Sequence, residues 1–130
     1  MGAWGVGPFE NDGAMDFVAD LRAGDFNLDG LAWAFEDEEY LEVDGGQMAL
    51  ALAEVAVAIR QNAPSPVSDL DLSAVAVHFT PENVAFIHAQ VKRTLSDAEH
   101  SELYELWEET PDFEAWLTVS RRILQQLSPS

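Results

Sequence analysis

The chain has 130 residues, 48% of them hydrophobic, enough for one domain with a packed core. Lys and Arg number 6 against 24 Asp and Glu, a formal charge of −18 that repels nucleic acid and anionic membrane surfaces. The absence of cysteine excludes disulfides, thiolate metal sites and cysteine nucleophiles, and fits a reducing, cytoplasmic setting.

No apolar run approaches the roughly 20 residues of a membrane-spanning helix. The opening lacks the basic-then-apolar order of a signal peptide, and Val6 stands where N-myristoylation requires Ser or Thr. Residues 1–10 are rich in glycine yet carry Trp4 and Phe9. Glycine allows tight turns, so this stretch is expected to form an N-terminal clasp that Trp4 and Phe9 anchor to the helices. A functional lid is the competing reading. Pro8 restricts Gly7 and marks an ordered bend.

Asn11 or Asp12 is placed to cap the first helix by accepting an exposed backbone N–H. Ala14, Phe17, Val18 and Leu21 then give an apolar stripe at helical spacing. Asp12, Asp16 and Asp20 repeat every fourth position, a like-charge ladder that reads as a solvated face. Through Trp4, Gly5, Gly7, Phe9, Asn11, Asp12, Ala14 and Asp16, the opening MGAWGVGPFENDGAMDF resembles the start of bacterial proteins in domain of unknown function 4259. The similarity continues through YLEVDGGQMALALAEVAVA at residues 40–58 and SELYELWEE at residues 101–109, and is weakest over residues 63–80. The resemblance implies a compact bacterial domain. It implies no catalytic residue and no reaction.

Asp25, Asn27, Asp29, Gly30 and Glu36 satisfy the calcium-loop spacing D-x-[DN]-x-[DN]-G-x5-E. Asp25, Asn27 and Asp29 would offer side-chain oxygens, Leu31 a backbone carbonyl and Glu36 a bidentate carboxylate. Against this, Leu28, Leu31, Ala32 and Phe35 make a helical apolar face, and a continuous helix points the oxygens apart. An acidic helix from residue 27 or 28 to residue 38 is therefore favoured over a metal loop. Glu36, Asp37, Glu38, Glu39, Glu42 and Asp44 follow as a dense negative patch, the best candidate for an edge that binds a basic protein. Gly45 and Gly46 are expected to separate this patch from the next helix.

That next helix, expected from about residue 47 to residue 60, holds MALALAEVAVAI at residues 48–59. Its alanines permit close approach of neighbours, and its Leu, Val and Ile side chains supply packing area. Only Glu54 interrupts it, so Glu54 needs a partner or an exposed seam; Arg22, Trp4 and Tyr104 are the donors in view. Pro64 and Pro66 make residues 61–69 a surface connection. A short helix is favoured over residues 69–79.

Thr80 and Pro81 supply a cap and a first-turn proline for a helix with Val84, Ile87, His88, Val91 and Leu95 on one face. Lys92 and Arg93 suit its later turns. Ser101 caps a short helix carrying Leu103, Leu106 and Trp107. Thr110 and Pro111 open the last helix, which presents Phe113, Trp116, Leu117, Ser120, Leu124 and Leu127, with Arg121 and Arg122 late in it. Trp33, Trp107 and Trp116 are expected as core anchors. His78, His88 and His100 lack compact metal-ligand spacing, and no phosphate loop, HExxH motif or serine elbow occurs.

The sequence thus predicts an all-α single domain over residues 1–130, a compact bundle of about five or six helices around the alanine-rich one. The clasp at residues 1–10 and the proline-rich connection at residues 61–69 flank its core, and its structural anchors are Trp4, Phe9, Asn11, Asp12, Glu54, Trp107 and Trp116. No residue is assigned to catalysis. A non-enzymatic interaction or structural protein with a basic protein partner is favoured, as monomer or homodimer, without nucleic acid or membrane contact. A calcium-binding module is the alternative, calcium being the one ion with a candidate site. A carboxylate hydrolase is the weakest reading.

Overall fold

A computed structural model describes residues 5–23, 33–67 and 70–127. Among these residues six α-helices are seen: α1 (Asp12–Ala23), α2 (Val43–Arg60), α3 (Leu72–Val75), α4 (Pro81–Thr94), α5 (Glu102–Glu108) and α6 (Phe113–Leu127). A 3-10 turn, Ala76–His78, extends α3. Among the described residues there is no sheet, and an isolated parallel bridge joins Leu41 to Ser101.

All five other helices pack on α2. Its Ala49, Ala51, Ala53 and Ala56 are buried, and so are Leu50, Leu52, Val55 and Val57, so it is apolar on nearly every side. A helix of that kind is stable only inside a shell, which α1, α4, α5 and α6 provide. Phe17 and Val18 from α1, Ile87 and Val91 from α4, Leu103 from α5 and Ile123 from α6 complete the core.

Most of the expected caps form. Asn11 Oδ1 accepts from the Ala14 amide at 2.8 Å, Thr80 Oγ1 from Asn83 at 3.2 Å, and Ser101 Oγ from Tyr104 at 3.3 Å. Each satisfies an amide that the first turn leaves without an intrahelical partner. Asp71 caps α3 in the same way, accepting from Ser73 at 3.0 Å.

Four expectations are corrected. First, α2 begins at Val43, not near residue 47, so Gly45 and Gly46 lie buried inside it instead of ahead of it. Both are places of close approach. A Cβ on Gly45 would stand 2.7 Å from the Ala34 carbonyl oxygen, and one on Gly46 would stand 3.0 Å from Leu103 Cβ. Second, the expected helix to residue 38 is not found in its described part, which has a 3-10 turn at residues 33–35 and then irregular chain to residue 40. Third, α6 starts at Phe113, because the Thr110 hydroxyl donates back to the Trp107 carbonyl at 2.8 Å and closes α5 instead of opening α6. Arg121 and Arg122 precede the last turn of α6, whose Leu127 carbonyl accepts from Arg60 Nη1 at 3.2 Å. Fourth, Trp33 is 55% exposed and anchors nothing in the core, whereas Trp107 and Trp116 are buried as expected.

Candidate functional site

The acidic segment between α1 and α2 is tethered at both ends. At its start, Phe35 is buried and meets Phe86 of α4 edge-on, with ring centroids 5.6 Å apart. Arg93 of α4 donates through Nη1 to the Phe35 carbonyl at 3.4 Å and through Nη2 to the Asp37 carbonyl. Gln90 Oε1 accepts from the same Nη1 at 2.7 Å and orients the guanidinium. At its end, buried Leu41 donates from its amide to the His100 carbonyl at 2.8 Å and accepts from the Glu102 amide at 2.9 Å.

Between these ties the carboxylates face water. Glu36, Asp37, Glu38, Glu39, Glu42 and Asp44 are all exposed. Asp37 also shapes the turn, since its Oδ1 accepts from the Glu39 and Tyr40 amides at 2.9 and 3.2 Å. Two further acids join the face from α5. Glu102 Oε1 accepts from the Val43 amide at 2.7 Å, capping α2, whose own N-cap residue Glu42 makes no side-chain cap bond. A carboxylate at a helix N-terminus is also favoured by the helix dipole. Tyr40 reports the combined field: partial burial, then Glu102, Glu105 and Glu42, raise its phenol above the ordinary value. Sequence reading missed Glu102 and Glu105 because no periodicity links residues about 60 positions apart along the chain.

Trp33 stands three positions before Glu36, with more than half of its surface exposed. An exposed tryptophan beside a field of carboxylates combines an apolar platform with attraction for cations.

The other residues singled out from the sequence are dispersed. Phe9 packs against the core, whereas Trp4 and the Asp12 side chain lie outside the described residues. Asp25, Asn27, Asp29 and Leu31 of the calcium spacing also lie outside them, and Glu36 alone of that set is described, on the surface. Among the described residues no group of three His, Asp or Glu side chains is arranged to hold a metal ion. His78 follows α3, His88 lies on α4 and His100 precedes α5. His100 Nδ1 lies 2.7 Å from Asp97 Oδ1 in an exposed pair, and that hydrogen bond holds the Asp97 carboxyl below its usual range.

Glu54 occupies a seam lined by Phe9, Pro66, Val119 and Arg122. The cation acting on it is Arg122 of α6, which was not among the donors considered from the sequence. Burial raises the Glu54 pKa, and Arg122 only partly offsets that rise. A raised folded-state pKa means that ionised Glu54 opposes folding once pH exceeds its unfolded value of about 4.3. Glu54→Gln should therefore raise the melting temperature at pH 7, with the gain shrinking as pH falls toward about 4. Calorimetry at both pH values checks this; a lower melting temperature at pH 7 would show that the Arg122 attraction outweighs burial.

At the far end of α2 an apolar groove of ≈ 480 Å³ opens between α2, α4 and the end of α6. Ile59, Phe79, Val84 and Leu127 line it, with Arg60 and His88 as its polar members. In the sequence Val84, His88 and Leu127 belong to helical faces assigned to the core, and nothing in their spacing marks a groove.

Residues 2–119 match the family described as Domain of unknown function (DUF4259). No curated protein and no solved structure shows a match.

Proposed function

The chain belongs to the DUF4259 family, whose description assigns no activity, and from its surface we propose a non-enzymatic interaction protein that binds a basic protein segment. The observation that carries this reading is the tethered acidic segment with Trp33 exposed beside it. Anchored chain loses little conformational freedom when a partner docks, which favours affinity. Exposed carboxylates steer a cationic partner, and a tryptophan supplies the packing and cation–π contact that charge alone lacks. General acid–base catalysis uses carboxylates in a cleft that excludes water, whereas these six face solvent. No described helix is long and apolar enough to cross a membrane, and the cysteine-free composition supports a cytoplasmic setting.

The probe is a fluorescent amphipathic helical peptide of Lys and Leu, titrated by anisotropy. Replacing Glu36, Glu38, Glu39 and Glu42 together by Gln should weaken binding at least about tenfold, and Trp33→Ala by about 1–2 kcal/mol. Asp37 is left intact because it holds the turn. The control removes the same charge elsewhere, through Asp16→Asn, Asp20→Asn, Glu108→Gln and Glu109→Gln, all exposed positions. Equal weakening by both sets would reduce the effect to net charge and remove the case for this face.

A further inference from the structure

We propose that the seam around Glu54 is a binding site for a small apolar α-amino acid in its zwitterionic form. The ammonium group would face the Glu54 carboxylate and the carboxylate would face the Arg122 guanidinium, with the side chain on Phe9, Val119 and Ile123. Three observations carry it.

The first is construction. The seam has a volume of ≈ 420 Å³, inside the range of roughly 300–1,000 Å³ typical of small-molecule sites. Four stretches of chain meet there: Pro8 and Phe9 come from the segment before α1, Glu54 from α2, Pro66 from the connection after α2, and Arg122 from α6. Phe9 and Val119 pack against the core and Ile123 belongs to it, so these walls are held in place. Pro8 and Pro66 have one backbone angle fixed by their rings, which limits the freedom the walls lose when a ligand docks. Apolar walls around a few polar groups are the common pattern of ligand sites.

The second is charge. A carboxylate and a guanidinium line the same seam, yet Arg122 acts on Glu54 through space, without a hydrogen bond or a direct ion pair. Among the described residues the side chains of Glu54, Arg122 and Gln126 make no hydrogen bond, and none of their polar atoms is sealed from solvent. The five donors of the guanidinium and the lone pairs of the carboxylate are therefore open to a ligand. A simple cation would be drawn to Glu54 and repelled by Arg122, and a simple anion the reverse. A zwitterion answers both charges and adds nothing to the net −18 of the chain. Neighbouring grooves lack this pairing: the one lined by Thr118, Arg121 and Leu124 has cations without a carboxylate, the one at Arg60 likewise, and the one at Asp71 has a carboxylate without a cation.

The third is the local conflict at Glu54. Burial raises its pKa and Arg122 only partly offsets the rise, so at neutral pH the ionised side chain opposes folding. Charged groups that oppose folding while lining a cleft are characteristic of functional sites. A ligand ammonium against Glu54 supplies the rest of the compensation, and only the folded protein offers it. Glu54 stands roughly 16 Å along α2 from Val43, where the acidic face meets the helix, so the proposal is independent of the basic-partner reading.

The test is an amide-resolved NMR titration with L-leucine, with isocaproate, which lacks the ammonium, and with isoamylamine, which lacks the carboxylate. Leucine should give saturable shifts centred on Phe9, Glu54, Val119 and Ile123, with each analogue binding at least about tenfold more weakly. Glu54→Gln, a variant expected to fold more stably, should weaken leucine binding about tenfold and leave isocaproate binding as tight or tighter. Arg122→Gln should weaken leucine binding to a similar degree and leave isoamylamine binding as tight or tighter. Opposite selectivities in the two variants are a result that a merely structural role for either side chain would not produce. If Arg122→Gln does not fold, the Glu54→Gln comparison decides alone. Absence of saturable leucine shifts at millimolar concentration, equal affinity for the three ligands in the unaltered protein, or an equal loss for all three in Glu54→Gln overturns the proposal.

Discussion

Trp116→Ala is expected to lower the unfolding free energy by about 3–5 kcal/mol, whereas Trp33→Ala should change it by no more than about 0.5 kcal/mol. Trp116 is 2% exposed and lies at the centre of the aromatic cluster that joins α5 to α6. Its ring stacks on Trp107 with centroids 5.9 Å apart and planes 10° from parallel. Tyr104 meets it edge-on at 6.2 Å, and Phe113 lies against it at the same centroid distance. Removing the indole takes a common partner from three rings and opens a large cavity that close-packed surroundings fill only in part. Trp33 has the same side chain in the opposite setting, with most of its surface already in water. Urea denaturation of the two variants, read through the midpoint at constant m, measures the contrast. A loss below about 1 kcal/mol in Trp116→Ala, or a similar loss in both variants, would contradict the packing described.

These two tryptophans also show what can be read from local sequence. Trp116 belongs to a face that repeats through Leu117, Ser120 and Leu127, and periodicity marks such a face as buried. Trp33 has an apolar neighbourhood in the sequence as well, yet the chain after it leaves helical geometry, so the period assumed for residues 27–38 has no helix to act on in its described part. The all-helical class, the central place of α2 and the caps at Asn11, Thr80 and Ser101 were legible because each depends on residues a few positions apart. The two ties that shape the acidic face were not. Arg93 reaches the Phe35 carbonyl across 58 positions, and Glu102 reaches the Val43 amide across 59. Main-chain carbonyls and amides carry no side-chain signature, so nothing in the sequence distinguishes those that receive a distant arginine or glutamate. The identity of the acidic patch was therefore readable, while its extension by Glu102 and Glu105 and its rigid mounting were not.

Gly45→Ala is expected to destabilise the protein by about 1–3 kcal/mol, although helix propensity alone predicts a gain of about 1 kcal/mol. The opposing effects can be weighed from the surroundings. A Cβ at this position would lie 2.6 Å from Leu41 Cδ1 and 2.7 Å from the Ala34 carbonyl oxygen. Neither neighbour gives way cheaply. Leu41 is 1% exposed and its main chain is bonded to His100 and Glu102. The Ala34 oxygen is main chain, and the next carbonyl, that of Phe35, is held by Arg93. Relief thus requires the segment carrying the acidic face to move away from α2, loosening the Arg93 or Leu41 ties, each of which is worth on the order of 1 kcal/mol. Because the same movement displaces the carboxylates and Trp33, Gly45→Ala should also weaken binding of the Lys/Leu peptide, by roughly threefold to tenfold, at temperatures where the variant remains folded. Trp116→Ala removes packing on Tyr104 and Trp107 but none of the Arg93 or Leu41 ties, and should weaken that binding less under the same conditions. Thermal melts combined with the peptide titration separate the two variants. A higher melting temperature for Gly45→Ala would mean that the segment is not pressed against α2, and the mounting of the acidic face would have to be abandoned with it.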